Sequence, residues 1–379
     1  MPEHANRTNC FLNMTAEEKT DFLQRRQPYQ LEMVFRRYWG WMTLPLAGIG
    51  LALSIIFIIT VYRAIQARQV SRKCYILLLN RTIGDLLSCV IALIDCAYVL
   101  LARDIEREIV VTMESFFIGC FWSGMVSYVA LSVLKLFAVW KPFQYRKWFT
   151  MRRCIYLMIL SWFIFVIMVS YSLGVSALVK IPSLNEWSGC RMETCLRIMY
   201  RIRNAVTLGV YCFTLVVFVI TVLLIRRAQR FVNSFRKRDK DRPNAADRGS
   251  RVRFPLWKLA INVATFAGFN FFYILWIIRL FLERDPCFFQ LHYAENMRLI
   301  SFRRCALILR IIVDPILSYV TDYQLRRNFL AIFGVNRKIT QASTSRSTFQ
   351  KSTYSNSSVD MDEGQSARVR RSQTVSTVT

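Results

Sequence analysis

Histidine is almost missing from this 379-residue chain, which has only His4 and His292. The sequence also lacks a His-Glu-x-x-His zinc helix, a Gly-x-x-x-x-Gly-Lys phosphate loop and a Gly-x-Ser-x-Gly nucleophile turn. No Cys/His spacing forms a zinc pattern. These absences leave no enzyme signature and imply neither metal nor cofactor. Charge is missing too, over four long stretches: Trp41–Tyr62, Cys154–Val179, Ala205–Ile225 and Leu259–Ile278 contain no Asp, Glu, Lys or Arg. A bilayer core of about 30 Å takes about 20 residues of apolar helix, and each stretch meets that length. The expectation is an integral membrane protein. The first 30 residues lack an apolar core, so no cleavable signal peptide is expected and the first span would serve as the insertion signal.

Three further apolar segments are interrupted by charge: Tyr75–Leu101, Ile109–Trp140 and Leu299–Tyr319. With the four clean stretches they make seven expected spans, which puts the termini on opposite sides. The net charge is +27, which in a soluble chain would suggest nucleic acid. Membrane proteins instead concentrate Lys and Arg in cytoplasmic loops, so nucleic-acid binding is not expected. With the N-terminus outside, 30 basic residues fall in cytoplasmic segments, 15 in outer ones and six within spans. The loop from Arg226 to Lys258 alone holds twelve. That bias predicts an extracellular N-terminus, a cytoplasmic C-terminus and a plasma-membrane location.

The expected organisation is an extracellular arm over 1–40, a transmembrane domain over 41–322, a juxtamembrane amphipathic helix over 323–334 and a disordered cytoplasmic tail over 335–379. The arm carries two glycosylation acceptors, Asn6 and Asn13; the same triplet also arises at Asn80 and Asn356. Leu325, Phe329, Leu330 and Phe333 share one helical face, with Arg326 and Arg327 elsewhere, as in a helix lying on the inner leaflet. From Thr340 onward 17 of the last 40 residues are Ser or Thr, too polar to bury a core. Four cysteines are expected outside: Cys10, Cys190, Cys195 and Cys287. A short Cys190–Cys195 bridge, or a bridge from one of these to Cys287, are the leading pairings.

Specific strings then carry a resemblance. Leu77-Leu-Leu-Asn-Arg-Thr-Ile-Gly-Asp85-Leu-Leu, Phe137-Ala-Val-Trp-Lys-Pro142-Phe-Gln-Tyr-Arg146, Trp162, Asp314-Pro315-Ile-Leu-Ser-Tyr319 and Asp322-Tyr-Gln-Leu-Arg-Arg-Asn-Phe329 occur in that order. Together they resemble helices two, three, four, seven and eight of the rhodopsin-like G protein-coupled receptors, over about Trp41 to Phe333. The likeness is closest to the nematode-type serpentine receptors and orphan peptide-receptor relatives. It implies an all-α membrane protein, a seven-transmembrane helix bundle with a short amphipathic eighth helix. It further implies an extracellular peptide or small-molecule ligand, chemosensory cues included, and a heterotrimeric G protein. Kinases and an arrestin would act at the Ser/Thr tail, where Arg368-Val-Arg-Arg-Ser372 suits a basophilic kinase.

Departures from the family pattern are as informative. Leu134-Lys135-Leu136 stands where the family has Asp-Arg-Tyr, keeping a positive charge but losing the planar fork and the acid. The cysteine that opens the family's helix three would fall at Val110, and helix six has no proline kink. By the resemblance, Lys135, Arg146 and Arg81 are candidates for the coupling face. Arg81 could instead pair with Asp85, four residues on. In the family the acid at Asp85 binds sodium; here the matching positions in helices three and seven are Gly124 and Arg310. The expectation is that the Arg310 guanidinium replaces sodium and bridges Asp85 and Asp314, with Gly124 leaving room. An ionisable group at membrane depth needs a partner or a water cavity.

Toward the outer side, Asp95, Tyr98, Glu114, Phe117, Tyr273, Trp276 and Arg303 form a candidate ligand pocket, half apolar with a few convergent charges. Arg279, Arg304 and Phe272 lie at similar depth. Phe117 stands where amine receptors carry an acid, which disfavours a biogenic amine, and helix seven has no Lys for retinal. The rival class is a membrane transporter, which also buries paired charges; no repeated halves are visible in the sequence. A third possibility is a receptor-like protein that binds without coupling.

Overall fold

A computed structural model describes residues 15–66, 72–190, 195–239, 256–283 and 288–332. Among the described residues there is helix and no strand. Expected features at Asn6, Cys10, Asn13, Cys287, Asn356 and in the Ser/Thr tail lie outside them.

The helices begin where local chemistry starts them. Thr15 and Glu18 form a capping box on α1 (Ala16–Asp21): Glu18 N–H donates to Thr15 Oγ1 at 3.2 Å, and Thr15 N–H donates to Glu18 Oε2 at 3.0 Å. The chain continues through α2 (Gln27–Val34) and a π-helical turn over Phe35–Trp41 into α3 (Thr43–Gln66). The expected boundary between an arm ending at 40 and a span starting at 41 is therefore no structural break. Phe35 and Trp39 are each 1% exposed, and burying these two rings carries the helix past the charge-free stretch.

Next come α4 (Arg72–Leu101), α5 (Arg107–Trp140), the short α6 (Pro142–Trp148) and α7 (Met151–Lys180). α8 (Pro182–Ser188) ends at Gly189, whose φ of 62° is left-handed and suits glycine. α9 (Arg197–Asp239) runs well into the basic segment that follows its apolar stretch. Then follow α10 (Leu256–Leu282), α11 (Phe288–Leu291), α12 (Tyr293–Thr321) and α13 (Tyr323–Ile332). Leu330 onward belongs to a second compact unit, described only as far as Ile332.

Six of these helical segments are long and apolar enough to cross a membrane. They are Ala16–Gln66, Lys73–Leu101, Arg107–Trp140, Met151–Lys180, Arg197–Arg227 and Ala264–Leu282. Seven spans are expected from the sequence. The remaining one, α12, has 29 residues but contains Arg298, Arg303, Arg304, Arg310 and Asp314, and misses on composition rather than length.

The packing is as expected for a multi-pass membrane protein. α5 is the axis: it packs on α4, α7 and α9, and 78% of its most apolar stretch is buried. α12 closes the ring between α3 and α10. By contrast, α7 turns Ile159, Phe163, Val166 and Ile167 outward, and α9 turns out Phe213, Val216, Val219 and Leu223. Apolar surface of that extent needs lipid rather than water against it. The bundle core gathers Phe117, Phe121, Tyr128, Phe266, Tyr273 and Ile308.

Candidate functional site

The helix pitch sets four residues apart on one face, so Arg81 and Asp85 on α4, and Arg310 and Asp314 on α12, each project together. Packing of α4, α5 and α12 brings both pairs to one place. Arg310 Nη2 donates to Asp85 Oδ1 at 3.0 Å, and its Nε lies 3.8 Å from Asp314 Oδ2. Arg81 Nε lies 3.6 Å from Asp85 Oδ2, and Arg81 Nη2 is ion-paired with Asp314. From α5, Tyr128 donates its hydroxyl to Asp314 Oδ2 at 2.8 Å, and its ring lies 3.6 Å beneath the Arg81 guanidinium. Arg310 is 1% exposed and Asp85 6%. A cluster this dry has to be self-paired, because a lone buried charge costs several kcal/mol.

The sequence expectation of an Arg310 bridge from Asp85 to Asp314 corresponds to contacts that are present, but it is half of the arrangement. Arg81 takes the closer contact with Asp314 and also reaches Asp85. Gly124 lies beside Asp85, but a Cβ there would stand at an ordinary contact distance of 4.0 Å from Asp85 Oδ1, so the expected room does not depend on glycine. Tyr128 was not foreseen. It lies seven residues before Lys135, two turns up the same face of α5, and that spacing was the available signal.

Toward α13 the cluster opens on a cavity of about 80 Å³. It is lined by Arg81, Asp314, Tyr128, Ser132, Lys135 and, from α9, Thr214 and Thr221, among others. Lys135 is exposed at its mouth, and among the described residues it makes no ion pair. The backbone of Arg146 lies in α6; its side chain lies outside the described residues.

A second charged cluster lies toward the amino-terminal end of the bundle. Arg304 pairs with Asp95, and its Nη1 lies 3.8 Å from Glu114 Oε2. Arg303 pairs with Glu114 and stands 5.0 Å from the Tyr273 ring centre. Arg304 itself lies 5.0 Å from the Phe117 ring centre and 4.9 Å from that of Trp39. Trp39 donates its indole N–H to Met297 O at 3.1 Å, which fixes the ring over the cluster.

Of the expected pocket residues, Asp95, Glu114, Phe117, Tyr273 and Arg303 are thus brought together, with Glu114 paired to Arg303 and Asp95 to Arg304. Trp276 is 8% exposed in the same core. Tyr98 is turned to another task, accepting the Glu106 N–H at 2.9 Å. Arg279 and Phe272 face outward, a correction to their expected convergence, because each lies on the outer face of α10. Trp39 was missed because the arm that holds it looked detached from the core.

Two local devices hold the frame. Asn80 accepts the Trp162 indole N–H at 2.8 Å and donates to Ser127 and Ser161 at 2.9 and 2.8 Å, tying α4, α5 and α7 together. Cys190 and Cys195 are joined by a disulfide between α8 and α9. No protein-family model and no curated protein matches this chain.

Proposed function

We propose that the chain is a seven-helix plasma-membrane receptor, with α12 as its seventh span and α13 as its juxtamembrane helix. An extracellular peptide or small molecule would bind near Asp95, Glu114, Phe117, Tyr273 and Arg303, and a heterotrimeric G protein would dock at the α13 end. The observation that carries this reading is the Arg81–Asp85–Tyr128–Arg310–Asp314 cluster. It joins three helices and opens on the cavity that Lys135 borders. Paired charges of this kind have discrete arrangements, so a ligand that favours one arrangement shifts the population at the far end. The sequence resemblance points the same way: its strings supply Arg81, Asp85 and Asp314.

The test is to express the chain in cells and measure second-messenger output with and without an extract of peptides and small metabolites. Lys135→Ala is run beside it, with surface expression verified. A ligand-dependent signal lost in Lys135→Ala supports the receptor and puts Lys135 at the coupling face. Uptake of a labelled component of the extract without any second messenger would favour the transporter, the class that also buries paired charges.

A further inference from the structure

The charge count of the cluster does not close. Arg81, Arg310 and Lys135 bring three positive charges to the cluster and its adjoining cavities; Asp85 and Asp314 bring two negative ones, and among the described residues no other acid lines those cavities. Both carboxylates are already committed, Asp85 to Arg310 and Arg81, and Asp314 to Arg81, Arg310 and Tyr128. The surplus is therefore the Lys135 ammonium, which lines the cavity together with Arg81 and, among the described residues, makes no ion pair.

The hydroxyls sort in the same way. Thr214 and Thr221 donate to their own helix at Val210 O and Val217 O, and Ser318 donates to Asp314 O. Ser132 is different: it lies three residues before Lys135 on the same face of α5, lines the cavity and, among the described residues, makes no side-chain hydrogen bond. At about 80 Å³ the space admits several water-sized groups.

We propose that this cavity is a binding site for a small monovalent anion of the chloride class, held by Lys135 and Ser132 with Arg81 in the cavity wall. A single negative charge neutralises the surplus; a divalent anion would reverse it. Sodium has no place here, since two guanidiniums already occupy both carboxylates. The site stands whether or not the chain couples to a G protein.

The experiment is thermal unfolding of the purified full chain in detergent. Sodium chloride and sodium bromide are compared with sodium gluconate, at equal sodium and ionic strength. Chloride and bromide are expected to raise the midpoint by a few degrees, saturably, because a ligand of the folded state stabilises it by mass action. Lys135→Gln should abolish the rise and Lys135→Arg should keep part of it. Equal midpoints in all three salts for the unsubstituted chain would overturn the proposal without recourse to any variant. A rise that survives undiminished in Lys135→Gln would overturn it too, as a general salt effect.

Discussion

Asp314 meets two guanidiniums and the Tyr128 hydroxyl, which makes it the residue whose loss should be felt most. Asp314→Asn leaves the Arg81 and Arg310 guanidiniums sharing one carboxylate, and a buried ion pair broken on one side costs about 3–5 kcal/mol. Thermal unfolding should show that loss. Arg81→Met in the same chain should cost less than the two single changes summed, because the second removes the charge that the first stranded. The pairings within each helix were legible in the sequence, since a spacing of four fixes which side chains share a face. Which acid each arginine prefers was not. That choice depends on the rotation of α4 against α12, and Tyr128 enters from a third helix that neither spacing mentions.

Between elements, approach distance is set by the smallest residues. A Cβ on Gly119 would lie 2.5 Å from Val169 Cγ2 and 3.0 Å from two carbons of the Phe165 ring, so α5 and α7 touch there through a missing side chain. Gly119→Ala should cost about 1–3 kcal/mol by overpacking, whereas Gly174→Ala, inside α7 with nothing within 4 Å, should not lower the unfolding midpoint, since alanine is the better helix former. At the start of α1, the Thr15 backbone N–H and then its hydroxyl hold the fully exposed Glu18 carboxyl below the usual carboxylate range. Glu18 therefore favours the capped helix at neutral pH, and that contribution is lost as pH falls below about 4 and through the lowered value. Exchange of the Thr15 amide, taken relative to its intrinsic rate at each pH, should lose its protection over that range and show little protection at any pH in Glu18→Gln. At the other end, α13 is held by the Tyr75–Asp322 hydrogen bond, by buried Leu325 and by the Tyr319–Phe329 ring contact at 4.5 Å. Its amphipathic pattern was readable; the tyrosines that seat it were not.

For the whole molecule the orientation remains a reading of charge. It places Asn6 and Asn13 outside, so a glycosidase should shift the mobility of the expressed chain and leave an Asn6→Gln/Asn13→Gln variant unmoved. An unshifted band from unsubstituted protein verified at the cell surface would argue against that orientation. The sequence by itself determined the helical class and the apolar spans, because twenty uncharged residues have few other uses and helix hydrogen bonds close within a segment. It also showed that acids and arginines share faces of α4 and α12. Tertiary structure alone decided that the amino-terminal helix lays Trp39 over the Arg304 cluster and that Arg81 serves two carboxylates. It also decided that one positive charge is left facing a cavity. Those facts depend on how helices rotate and slide against one another, and packing fixes that only when all of them are present.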